Sequence, residues 1–462
     1  MSSYVYELPT TGNVVFSEFI LDQTGQYSHA IGNATVARTN LRAVLKESKR
    51  TDEGEKDYLR IVKVIDDYLP HLYAIMDCVD SDDLSLKNQP AFSWRSTFSA
   101  NLLNNSPRQT VMGLHAELAF TLLTYGSALA NLAASCVTSL GQYERERAIT
   151  DALRKVKDEK LNFAVQLLLR AAGVFAHTAE VVIPQWERYL SDVGSVSNPL
   201  TTLKPVDLSK ELVLALSKFS MAEAQTLAVR KLMSRSAYDS TLTPGPPLPK
   251  SHPSPKLIVK LSLFALESYA SACSLAKSAR GGIQGGTEVT KDLTRWLADE
   301  TSLTSALSHK WLGVEAGEQS STSGKAGEAV GFLQWAKSEL EALKDGGHGI
   351  AGLSRKAKRK ERVAEEIAST MAFLSHYKKL NDTIHFEPVL PVATLQSMIP
   401  TGKSAVEMKL FTPPPPSFRS SRTVQFSAQP PEIVGEEAEV AAPQSEGVSP
   451  NPTTVAPRPA YF

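Results

Sequence analysis

The chain has little cysteine, no surplus of charge and no long apolar run, and each shortage closes off a class of protein. Its 462 residues hold three cysteines, Cys78, Cys136 and Cys273. They stand far apart with no paired spacing for a disulfide framework or a zinc site, so they read as buried thiols in a reducing compartment. Lys and Arg total 49, as do Asp and Glu. No global field therefore draws the chain to nucleic acid or anionic membrane, and any such attraction must be local. No window approaches 18 uncharged apolar residues, and the start, MSSYVYELPTT, lacks a basic region followed by an apolar run. The expectation is a soluble, cytosolic protein.

Catalytic motifs are missing as well. The nine histidines include no HExxH pair and none with a cysteine at metal-binding spacing. Gly402, Lys403 and Ser404 resemble the end of a phosphate-binding loop, but Ser397 stands where its first glycine belongs and no strand precedes it. Gly281 to Gly286 lacks the strand-turn-helix setting of a dinucleotide site, and no GxSxG elbow occurs. No catalytic residue, metal or cofactor is expected, and a hydrolase would have no nucleophile and base to work with.

What is present is helical periodicity. In residues 158–186, DEKLNFAVQLLLRAAGVFAHTAEVVIPQW, the residues Leu161, Ala164, Leu168, Ala171, Phe175, Ala179 and Val182 fall on one stripe. Ala172 and Gly173 are small enough to let a neighbouring helix approach, and Pro184 is expected to stop the helix. Val111 to Leu140 repeats apolar residues at steps of three and four and predicts the clearest long helix. Further helices are predicted from Val36, over 58–76 with a kink or end at Pro70, and over 208–233, 256–275, 293–311, 332–343 and 351–380. Short extended runs are expected at 4–8, 14–20 and 92–98. Loops are expected at 77–90, 191–205, 241–255, 280–286 and 315–328. Beyond Phe411 the composition turns to Pro, Ser, Glu and Ala, which cannot bury enough surface to offset its ordering entropy.

Two local features carry alternative readings. The six prolines of TLTPGPPLPKSHPSP (241–255) make a stiff surface loop or a ligand for a partner's aromatic groove. The basic run SRKAKRKER (354–362) makes a solvated helix face, a nuclear import signal or a contact for anionic lipid.

Four blocks of the chain, in order, resemble the BRO domain of the Alix family. They are the aromatic run PAFSWRSTF, the helix carrying Asp158, Glu159, Leu161, Ala171, Phe175 and His177, the segment SMAEAQTLAVRKLM, and NDTIHFEPVLPVATLQSMIPTGKSA at 381–405. The third is similar to the family's "LAQAQE" helix, with Glu223 where glutamine is usual. The resemblance implies an all-α fold, an elongated, boomerang-shaped, TPR-like helical solenoid with a few short N-terminal strands over 1–410, followed by a disordered tail over 411–462.

The same resemblance implies a non-enzymatic adaptor. BRO domains bind the C-terminal amphipathic helix of an ESCRT-III filament subunit of the Snf/Vps charged-multivesicular-body type. On this chain the matching positions are Ala228, Leu257 and Leu261, with Leu227 and Leu232 close by and Asp158 as an acidic neighbour. Ala228 stands where the family often has a large aromatic residue. The absence of a coiled-coil arm, the proline-rich insertion and the ending APRPAYF are similar to short family members of fungal ambient-pH signalling. This implies contact with receptor components of that pathway, recruitment to endosomes or plasma-membrane cortical sites, and proteolytic activation of the transcription factor PacC. Endosomal sorting of the Alix type and a nuclear or nucleic-acid-binding helical repeat are the alternatives.

Overall fold

A computed structural model describes residues 3–99, 107–146, 149–194, 204–239, 245–281, 287–345 and 353–420. The loops expected within 195–203, 241–244 and 282–286, and the tail from 421 onwards, lie outside the described residues.

Helices dominate: α1 (Ser28–Arg50), α2 (Tyr58–Asp80), α3 (Leu114–Leu140), α4 (Asp151–His177), α5 (Ile183–Gly194), α6 (Lys210–Asp239), α7 (Pro255–Ser278), α8 (Lys291–Glu318), α9 (Ser320–Ser323), α10 (Ala326–Asp345), α11 (Leu353–Leu380) and α12 (Val392–Ser397). The long helices pack side by side in the order α1, α2, α3, α4, α6, α7, α8, α10, α11, each on the one before. A helix so placed is covered on two flanks, which is why α3 is buried at nearly every position and why the array is a solenoid. Among the described residues three antiparallel strand pairs accompany the helices: β1 (Ile20–Leu21) with β2 (Ser85–Leu86), β3 (Ala91–Arg95) with β4 (Arg108–Met112), and β5 (Arg280–Gly281) with β6 (Thr287–Glu288).

At the N-terminal end a buried charge pair ties these elements together. Arg38 of α1 pairs with Glu117 of α3. Glu117 also accepts from Trp94 Nε1 at 2.7 Å and from Tyr68 Oη at 3.1 Å. The guanidinium lies over the Trp94 ring, 5.1 Å from its centroid. One carboxylate thus joins α1, α2, α3 and β3, and its full set of donors offsets part of its desolvation.

After α12 the chain becomes an extended strap that recrosses the array towards its start. Lys403 N donates to Lys260 O of α7 at 2.9 Å. Ala405 N donates to Gln225 of α6 at 3.0 Å, and Lys409 N donates to Leu169 O of α4 at 3.3 Å. Phe411 packs against His177 with centroids 5.1 Å apart, Ser417 N donates to Pro70 O of α2 at 3.0 Å, and Phe418 packs against Tyr27 at 5.8 Å. Residues 411–420, placed in the tail by composition, therefore lie on the helical unit. Two aromatic anchors and backbone hydrogen bonds hold them where prolines alone would not.

Tertiary packing overrides several local expectations. α2 runs through Pro70 because its buried stripe of Tyr68, Leu69, Leu72 and Ile75 outweighs the proline cost of about 3 kcal/mol. The helix at 158–183 is not stopped by Pro184. A π turn over Thr178–Val182 widens the backbone just before it, and α5 continues. The glycine-rich stretch 315–328 is mostly helical, since Gly313 and Gly317 sit where α10 and Tyr377 press against α8. Gly173 admits the strap, not a helix: a Cβ there would collide with the Lys409 carbonyl.

The expectation about apolar runs also needs correcting. Among the described residues four helical stretches are long and apolar enough to cross a membrane: α3, α4 through Asp192, α6 and α7. In the fold 83% of the α3 window is buried, falling to 56% for α7, so most of that apolar surface is spent on neighbouring helices.

A candidate docking patch beside the strap

The site is built from three neighbouring helices whose registers can be read from their contacts. Between α4 and α6, Ser217 meets the Ala172 carbonyl at 2.9 Å and Ser234 meets Asp158 at 3.1 Å. Between α6 and α7, Phe219 faces Tyr269 with centroids 6.0 Å apart, and Gln225 Nε2 donates to Leu261 O at 3.1 Å. Both pairs run antiparallel. The start of α4, the end of α6 and the start of α7 therefore lie at one end of the array.

On α6 the strap meets the face of Ser217 and Gln225. Ala228 and Leu232 continue that face three and seven residues on. Extending the Phe219–Tyr269 and Gln225–Leu261 register puts Leu232 beside the first turn of α7, which carries Leu257. Leu232 and Leu257 are each 39% exposed, and Ala228 is half-buried. The structure thus leaves a small apolar surface open beside the strap.

The other sequence-derived positions lie beneath or beside this surface. Leu227 and Leu261, which the resemblance implied as groove positions, are only 5% and 3% exposed, so they lie in the core and not on this open surface. Burial follows from their phase, since each points into a seam between helices. Asp158 is also enclosed. Its carboxylate accepts from Tyr143 at 2.5 Å, from Arg154 at 2.7 Å and from Ser234 at 3.1 Å, pinning α4 to α6 under the patch. Burial and then this carboxylate push the Tyr143 hydroxyl above its ordinary value. Arg154 is held further above its usual value by its hydrogen bond to Asp151. The group is a structural clamp between α4 and α6.

The rim is polar and mainly basic. Lys155 and Glu159 lie on the strap-side face of α4, Arg235 on α6, and Lys256 and Lys260 on α7. Lys155 and Arg235 have side chains 71% and 72% exposed. Sequence reading missed these cations because their common orientation depends on the register of three helices. An apolar centre with a basic rim suits an amphipathic helix whose polar face carries acids.

The two alternative features are partly absorbed by the fold. In the proline-rich loop, Leu248 packs on the apolar cluster of α7, α8 and α10, and His252 packs on Trp311 at 5.2 Å. In the basic run, Arg359 pairs with Asp299 and Arg362 pairs with Glu300 at 3.2 Å. Among the described residues no cluster of His, Cys, Asp and Glu could hold a metal ion.

Comparison with known proteins gives one consistent answer. A model of the BRO1-like domain matches residues 14–428. The pH-response regulator protein palC of Cryptococcus neoformans var. neoformans serotype D (strain B-3501A) is 34% identical over 467 residues, covering 91% of this chain and 94% of that protein. Among solved structures, the ALIX BRO1 CHMP4C complex aligns at a TM-score of 0.56 and 16% identity, covering 91% of this chain and 98% of that one. ALIX in complex with the SIVmac239 PYKEVTEDL late domain aligns at a TM-score of 0.59 and 15% identity, covering 91% of this chain, which spans 50% of that longer one. At such identities the structures establish the shared fold.

Proposed function

Because this chain belongs to the BRO1-like domain family, we propose that it is a non-enzymatic adaptor of fungal ambient-pH signalling whose docking patch receives the C-terminal amphipathic helix of an ESCRT-III filament subunit. The similarity to the pH-response regulator palC supports the pathway, and the shared fold with the BRO1 domain of ALIX in complex with CHMP4C supports the kind of partner. The observation that carries the reading is the exposure of Leu232 and Leu257 at the strap's edge.

In this account the apolar side of the partner helix lies over Leu232, Ala228 and Leu257, and its acidic side meets Lys155, Arg235, Lys256 and Lys260. The small Ala228 moves the apolar anchoring to the two flanking leucines. Binding brings the filament subunit to a cytoplasmic complex at endosomes or the cell cortex, together with receptor components, for proteolytic activation of PacC. Endosomal sorting of the Alix type is the second reading. Gene deletion separates the two: loss of growth at alkaline pH with intact vacuolar sorting supports the first, and the opposite pattern supports the second. The site itself is tested by titrating a fluorescent peptide of the filament subunit's C-terminal helix against the wild-type chain and Leu257→Asp.

A further inference from the structure

On the far side of α6 from the patch lies a cavity of about 20 Å³, open in part to solvent. It is lined by Glu223 and Leu227 of α6, Tyr269 of α7, Trp296 and Glu300 of α8, and Arg362 of α11. A space of this size is about that of one water molecule. The walls from α3 and α4 are apolar, being Ala133, Ala134, Val137 and Leu168. Two carboxylates thus face one guanidinium across the seam where α6, α7, α8 and α11 meet.

The one cation is already engaged, since Arg362 pairs with Glu300 at 3.2 Å. Glu223 instead accepts the backbone N–H of Tyr4, which packs on Phe219 and Trp296 with centroids 5.9 and 5.7 Å apart. Asn131 clamps the same N-terminal segment, accepting from Tyr6 N at 2.7 Å and donating to Tyr6 O at 2.9 Å. Tyr4, Tyr6 and Tyr269 also stand near Glu223, and Glu366 stands near Arg362. Burial pushes the Tyr6 and Tyr269 hydroxyls well above their ordinary value, so they stay neutral.

We propose that Glu223, which shares this cavity with the Glu300–Arg362 pair, holds a proton there, and that its release to solvent on alkalinisation loosens α6 where it carries the docking patch. With the proton in place the pocket holds one negative and one positive charge. Without it, a second carboxylate charge stands unpaired in a low-dielectric seam and works against the packing of α6 on α8 and on the N-terminal segment. Leu227 lines this cavity, and the next residue, Ala228, lies in the patch. In support, burial and then the charge of Glu300 raise Glu223 to about 8. Its folded value therefore lies above its unfolded value near 4.5. The stabilisation from the bound proton is complete below that unfolded value and is lost as pH rises through about 8.

The titration stands on the pocket alone; its effect on docking rests on the function proposed above. The test is hydrogen exchange of the full chain at about pH 6.5 and about pH 9, corrected for intrinsic rate, in wild type and Glu223→Gln. In wild type, protection over residues 223–233 should fall by about tenfold at the higher pH, while Glu223→Gln should not respond. Glu300→Gln should move the wild-type midpoint to lower pH. An equal pH response in wild type and Glu223→Gln would overturn the proposal. Peptide titration at both pH values separates the two readings. Affinity that weakens at high pH only in wild type supports the link. Unchanged affinity, with exchange that does change, overturns the link and leaves the docking site standing. Absence of binding at either pH overturns the docking site, while the exchange result still decides the switch.

Discussion

Gly173 of α4 lies directly beneath the carbonyl oxygen of Lys409, and no side chain fits between them. The strap can cross the array only because that position is bare, and the Gly327 position in α10 opposes the Pro388 carbonyl in the same way. Gly173→Ala should lift the strap at its midpoint and destabilise the unit by about 1–3 kcal/mol. Limited proteolysis checks this, with faster cleavage within 399–420 expected in the variant than in the wild type.

The Arg38–Glu117 pair should be among the costliest places to truncate. Both side chains are 1% exposed or less, so Glu117→Ala leaves a buried guanidinium and the Trp94 and Tyr68 donors without their acceptor. Destabilisation of about 3–5 kcal/mol is expected, read as a loss of cooperative thermal unfolding or a large fall in its midpoint. Glu117→Gln should cost less, since it keeps one acceptor oxygen.

Neutralising the basic run should act through the fold. Arg362 faces Glu300 in a buried seam, so Arg362→Gln should lower the thermal midpoint, while Lys360→Gln, at an exposed position of α11, should leave it unchanged. If a Lys360→Gln chain with normal stability lost pathway function, the nuclear or nucleic-acid reading would gain direct support.

Much of the fold was legible in the chain. Helices with strong periodicity, such as α3 and α6, stand where their apolar repeats put them, because burial on two flanks demands that pattern. Strand β4 was not legible, since Arg108 to Met112 becomes a strand only by pairing with β3. The ends of α4 and α8 were misjudged where a proline or glycine was read locally and packing decided otherwise. At the candidate site, sequence similarity could not tell exposed Leu257 from buried Leu261, which differ by one turn. That distinction depends on the strap and on the helix seams. The strap itself was hidden because residues 399–420 have neither helical nor strand periodicity.

The account rests most directly on the apolar centre of the patch. Its measurement is the affinity of the filament subunit's C-terminal helix for wild type, Leu257→Asp and Leu232→Asp, with helical content recorded alongside. Each substitution should weaken binding by about 2 kcal/mol, or roughly thirtyfold, with the circular dichroism unchanged. Wild-type affinity in both folded variants would contradict it.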